Sequence, residues 1–194
     1  WSIQASKMLH NSKKKTIYYN NAVIKVYDIP IFYAPKLSHP DPTVERRSGF
    51  LPPTIYDTKN LGTGISIPYF FNISKDKNFT LTSRFYAREN SLFLGEYQQA
   101  FKNSTLTTDF GYTEGYRNTS DTKKAGSKSH FFSSFIKNFT SDKGFKSTLS
   151  FQTQDVSNDK YLKLYKIKSD LVDYNSSTLE NSLSFTTENN DMFF

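Results

Sequence analysis

The sequence contains no cysteine, a single tryptophan and no proline after Pro68. Without cysteine there is no disulfide framework, no thiolate zinc site and no cysteine nucleophile within these 194 residues, although the compartment stays open. Long apolar runs are missing as well. The longest near-apolar stretch, residues 29–35, falls far short of the roughly 18 to 20 residues a helix needs to cross a bilayer. No initiator Met, charged n-region or apolar h-region opens the chain at Trp1, so it reads as a fragment whose targeting segment, if any, lies elsewhere. His10, His39 and His130 are too far apart for ligand spacing, so no metal is expected. Gly62-Thr63-Gly64 lacks the third glycine and the following helix of a phosphate cradle. No nucleophile stands beside a base in recognisable local context. The chain is expected to be no enzyme and to carry no cofactor.

What remains is an unusual distribution of rings. Hydrophobic residues make up 36% of the chain while aromatics alone reach 16%, and mean hydropathy is −0.61. Most apolar side chains therefore stand singly among polar neighbours. The net charge of +7 suits nucleic acid or an anionic lipid surface, but the excess is Lys scattered among Asn, Ser and Thr. Nucleic acid binding would gather Lys and Arg with aromatics on one face, and no such face is visible, so no nucleic acid partner is expected.

Period-2 alternation recurs in windows of about ten residues separated by Asn, Asp, Gly, Ser or Lys clusters, which predicts an all-β fold. Phe79, Leu81, Phe85 and Ala87 share one face; Thr80, Thr82, Arg84, Tyr86 and Arg88 share the other. Leu106, Phe110 and Tyr112 repeat the pattern against Thr107, Asp109 and Thr113. So do Phe145, Leu149 and Phe151 against Lys146, Thr148, Ser150 and Gln152, and Phe131, Phe135 and Phe139 form a fourth set. Helical spacing is hard to find anywhere. A soluble sandwich would fill its core with closely interlocking Val, Ile and Leu, yet Val is scarce after Pro68. A transmembrane barrel turns its apolar face to lipid, keeps a polar lumen and alternates short turns with long loops. Composition, alternation and unequal connections favour the barrel.

The first 45 residues differ. Lys13-Lys14-Lys15 predicts a turn into residues 17–27, where Tyr18, Ala22, Ile24 and Val26 share a face, and Ile31-Phe32-Tyr33 predicts a short strand closed by Pro35. A Pro-dense connector over residues 35–53 follows, because proline fixes φ and donates no hydrogen bond.

At this connector the chain carries Ile29-Pro30-Ile31-Phe32-Tyr33-Ala34-Pro35, His39-Pro40-Asp41-Pro42, Arg46-Arg47-Ser48-Gly49-Phe50-Leu51-Pro52-Pro53 and Ser66-Ile67-Pro68-Tyr69-Phe70-Phe71-Asn72-Ile73. In order and spacing this string resembles the LptD family, the outer-membrane lipopolysaccharide-assembly proteins also called organic solvent tolerance proteins. Leu81-Thr82-Ser83-Arg84-Phe85-Tyr86, Gly95-Glu96-Tyr97 and Tyr161-Leu162-Lys163-Leu164-Tyr165 are similar to it too. The resemblance implies two domains: residues 1–45 as the last strands of a periplasmic β-jellyroll, and residues 46–194 as the first antiparallel strands of a large transmembrane β-barrel. It implies lipopolysaccharide transport and assembly at the Gram-negative outer membrane, with no covalent chemistry. Partners implied are lipopolysaccharide, an LptE-like lipoprotein plug and an LptA-like periplasmic jellyroll bridge. Two prolines that interrupt pairing at the family's lateral gate match Pro53 and Pro68. Many family members join jellyroll to barrel through cysteines, and this sequence has none.

The residues support these roles to different degrees. A proline inside a strand removes a ladder bond, so Pro68 either weakens a seam or marks a bulge at a rim. Arg84 and Arg88 are candidates for lumen or lipopolysaccharide contacts, since Arg pairs bidentately with phosphate and carboxylate. Positioning at a membrane interface, or pairing with acids in the lumen, is the alternative. Ile24, Val26 and Phe32 are candidates for acyl-chain contacts, with ordinary sheet core as the alternative. A general outer-membrane porin is the rival function, although porins need neither a jellyroll nor a Pro-dense connector.

Overall fold

The computed structural model describes residues 2–44, 46–117, 119, 125–141, 145–189 and 192–193. The chain divides into two compact units, Trp1–Gly49 and Phe50–Phe194.

The first unit is a small antiparallel sheet. β3 (Thr16–Val26) lies at its centre, with β1 (Ser2–Gln4) and β2 (Lys7–Asn11) end to end on one edge and β4 (Ile29–Pro40) on the other. The Lys13-Lys14-Lys15 turn forms as expected, held by Lys14 N–H donating to Asn11 Oδ1 at 3.0 Å. Tyr27 and Asp28 join β3 to β4 with φ of 48° and 63°, the positive pair that a two-residue type I′ hairpin requires. β4 is longer than the sequence suggests and continues through Pro35 to Pro40. Its prolines are tolerated because β4 pairs only with β3, leaving one edge that needs no donors. The shared face expected for Tyr18 and Ala22 is interrupted: Asn21 has φ of 52°, and Ala22 is fully buried while Tyr18 is exposed.

The second unit is a ten-stranded antiparallel sheet. Its strands follow chain order: β5 (Gly49–Phe50), β6 (Thr54–Thr58), β7 (Gly62–Ser74), β8 (Lys77–Tyr86), β9 (Leu92–Ala100), β10 (Ser104–Thr113), β11 (Lys128–Thr140), β12 (Lys146–Val156), β13 (Ser182–Asn189) and β14 (Met192–Phe193). The sheet is open. Connections at one end are short, as at Lys75-Asp76 and residues 101–103, whereas those at the other include residues 114–127 and 157–181. The last of these holds the one helix among the described residues, α1 (Tyr161–Tyr165), an element that the alternation gave no reason to expect. No described helix is long and apolar enough to cross a membrane.

Candidate functional site

Register turns four separate alternating windows into continuous faces. Tyr69 lies opposite Leu81, and Phe71 opposite Phe79. Phe93 pairs with Tyr112 and Gly95 with Phe110; Phe110 then pairs with Phe131 and Leu106 with Phe135. Phe135 meets Phe151, which meets Leu183. Opposed residues project to the same side of a sheet, so these rings and leucines form one apolar face from β7 to β13. It is uncovered: Phe71, Phe93, Phe110, Tyr112, Phe131, Phe151 and Leu183 are 38% to 72% exposed, and Tyr69, Phe79, Leu81, Leu106 and Phe135 are half-buried among them. Phe50, Tyr69, Phe71, Phe79 and Phe110 touch in sequence, with centroids 4.6 to 6.1 Å apart. Gly95 makes room within this face, since a Cβ there would lie 2.4 Å from the Phe110 ring.

The opposite face is polar towards the short-turn end, where Asn78 Nδ2 reaches Gln98 Oε1 at 3.4 Å and Gln98 Nε2 reaches Glu96 Oε1 at 2.5 Å. Towards the long-loop end it is closed by residues 157–181. Tyr161, Leu162, Tyr165, Ile167 and Val172 bury themselves against Leu61, Tyr86, Leu92, Leu94 and Phe132 of the sheet and its adjoining loop. Gly111 is the notch that admits Tyr161: a Cβ at this position would lie 2.9 Å from the Tyr161 hydroxyl, 2.7 Å from Leu94 and 2.6 Å from His130. Polar groups fasten the docked segment. His130 Nδ1 lies 3.2 Å from the Tyr161 hydroxyl, and its Nε2 lies 3.4 Å from Asp109 Oδ1. Arg84 Nη1 donates to the Tyr165 carbonyl at 2.8 Å, and Gln154 Nε2 donates to the Leu171 carbonyl at 3.1 Å.

Burial, chiefly, pushes the Tyr165 phenol up to about 12 from its ordinary 10.0 and raises that of Tyr161 in the same direction. An undocked Tyr165 ionises above pH 10, while the docked one resists. Docking is therefore at full strength below pH 10 and weakens as pH rises towards 12. Protection of the α1 amides relative to their intrinsic exchange rate at each pH should fall over that interval, and unchanged protection up to pH 12 would contradict the burial of this phenol.

Pro53 immediately precedes β6, whose first residue, Thr54, pairs with Ser66. Two residues further along β7, Pro68 accepts a hydrogen bond from Leu51 N–H at 3.0 Å. A strand residue turns its N–H and C=O to the same neighbour. The donor that Pro68 lacks therefore belongs to the edge at β6, and its pairing with Thr82 of β8 is of the kind that exchanges no hydrogen bonds. The β7–β8 ladder is unbroken at Pro68, its register shifting only between Asn72 and Ser74, and three positions without donors, 52, 53 and 68, gather at one point of the sheet's edge. Arg84 lies opposite Ser66, so it shares the polar face with Pro68. Arg88 stands apart: it is exposed beyond the end of β8, its aliphatic carbons 3.5 Å from where a Gly62 Cβ would be.

In the first unit, Ile24 lies opposite Phe32 and Ile3, forming an apolar row across three strands. Val26 comes after a register shift between Ile24 and Lys25. Phe32 is 57% exposed.

No family model matches the chain. Known proteins do. Over 88 residues it is 38% identical to the LPS-assembly protein LptD of Haemophilus ducreyi, covering 45% of this chain and 11% of that protein. Over 117 residues it is 32% identical to LptD of Francisella tularensis subsp. novicida, covering 57% and 13%, and over 112 residues 30% identical to LptD of Pseudomonas aeruginosa, covering 58% and 12%. Over about half its length the chain is similar to LptD proteins. The aligned stretch spans only about an eighth of these relatives' length. The docked loop, its Gly111 notch and the His130–Asp109 pair escaped the sequence reading. The only signal was the spacing of Tyr161, Leu162 and Tyr165, which fits one helical turn.

Proposed function

We propose that this chain acts in lipopolysaccharide assembly at the outer leaflet of the Gram-negative outer membrane. In this reading, residues 46–194 are the opening strands of a membrane-spanning barrel, with the apolar face against hydrocarbon and the polar face towards the lumen. Residues 1–45 are the last strands of a periplasmic jellyroll that delivers the lipid, with Ile24, Val26 and Phe32 against acyl chains. The observation that carries the proposal is the in-register apolar face, bare on one side of strands 8 to 13 residues long, close to the roughly 9 to 11 that a tilted strand needs to cross the hydrocarbon layer. Short connections at one end and long ones at the other support an orientation with the long loops outside. An LptE-like lipoprotein and an LptA-like bridge are the protein partners of this reading, and it involves no covalent chemistry. Neither unit has a feature that favours a general porin.

Pro53 and Pro68 make the β6–β7 edge the weak side of the sheet, where acyl chains leave sideways. Pro68→Ala restores one donor opposite Leu51 and strengthens the closed seam by about 0.5–1.5 kcal/mol. Lipopolysaccharide delivery by the intact protein in proteoliposomes should then slow roughly two- to tenfold, and further with Pro53→Ala. Delivery at the wild-type rate in the double variant would remove the gate from this account.

A further inference from the structure

Between the β6–β7 edge and the docked loop lies a cavity of 330 Å³ on the polar face. Arg84, Lys166 and Lys168 line it, with Asp57 as the lining carboxylate, already accepting from Thr63 Oγ1 at 3.1 Å. The Arg84 Nε is shielded from solvent and has no hydrogen-bond partner among the described residues, while the Tyr56 hydroxyl nearby is shared with Tyr86. Buried donors are satisfied in the great majority of sites, so an open guanidinium donor beside a cavity calls for an acceptor. The lysines are placed by the end of α1. Lys166 adopts φ of 45°, a left-handed position where glycine is the usual residue, and Ile167 N–H closes the turn on the Leu162 carbonyl at 3.1 Å. Ile167 is buried, leaving Lys166 and Lys168 on either side of it exposed.

We propose that this cavity binds a phosphorylated saccharide, its phosphate on Arg84, Lys166 and Lys168 and its sugar against Tyr56 and Tyr86. Guanidinium and ammonium donors suit a phosphate, while tyrosine rings with the hydroxyls of Thr54 and Ser66 suit a sugar's alternating apolar and hydroxyl surface. The site deepens the transport reading above and rests on it for the source of the ligand: it holds a headgroup beside the edge through which acyl chains would leave.

The test titrates the intact detergent-solubilised protein with an acyl-free glucosamine disaccharide phosphate, the same disaccharide without phosphate, and inorganic phosphate. The phosphorylated disaccharide should bind saturably, with the unphosphorylated one at least about tenfold weaker. Arg84→Gln should weaken binding by about tenfold. So should Lys166→Gln with Lys168→Gln, whose exposed side chains leave loop docking intact, whereas Lys163→Gln, outside the cavity, should bind as wild type. Equal binding of both disaccharides, or unchanged affinity in both the arginine and the double-lysine variants, overturns the site. Inorganic phosphate binding as tightly as the disaccharide phosphate overturns the saccharide assignment. Lipopolysaccharide delivery without disaccharide binding defeats the cavity alone; disaccharide binding in a protein that delivers no lipopolysaccharide supports the cavity and defeats the transport reading.

Discussion

Tyr161→Ala is expected to release the β12–β13 connection from the sheet. Tyr161 is completely buried, and truncating a large buried aromatic costs about 3–5 kcal/mol. The docked segment has no strand ladder of its own to compensate, since its attachment is one hydrophobic cluster and a few hydrogen bonds. Limited proteolysis should cut within residues 157–181 at least about a hundredfold faster than in wild type, with the flanking strands intact because their backbone pairing is untouched. Gly111→Leu should do the same from the opposite side of the contact, by filling the notch. Cleavage at the wild-type rate in both variants would mean that the loop is held by something other than this cluster.

Leu81→Arg is the second large effect. Leu81 sits near the middle of β8 on the apolar face, beside Tyr69 and Gly95. If that face meets hydrocarbon, an Arg there costs about 2–4 kcal/mol. Thr82→Arg, one residue on and projecting to the opposite face, should cost less than about 1 kcal/mol in a water-filled lumen. The contrast separates lipid from a second protein layer as the covering of the apolar face, provided both variants are compared by urea titration of the intact protein in bilayers. Equal costs for the two would refute the orientation of the sheet.

Much of the strand architecture is legible residue by residue. The four alternating windows predict β8, β10, β11 and β12 with the observed faces, because successive side chains leave a strand on opposite sides wherever it folds. The prolines were legible as interruptions, but not the edge that each deprives of a donor. That depended on Pro68 turning its carbonyl to Leu51. In the first unit, Pro35 is a natural stop for a central strand and none for β4, whose place at the sheet edge is invisible from the local sequence.

Alternation and composition alone determined that this chain is mainly β and that the rings of the four alternating windows share a face, since both follow from the two-residue repeat. What lies against the other face was decided only in three dimensions. Leu94, Gly111, His130 and Val156 come from four strands and form one row through their pairings, and the absence of a Cβ at Gly111 becomes a seat for Tyr161 only inside that row. The cavity beside Arg84 arises in the same way, because its lysines belong to a loop some eighty residues away in sequence that must dock before the cations can share a space.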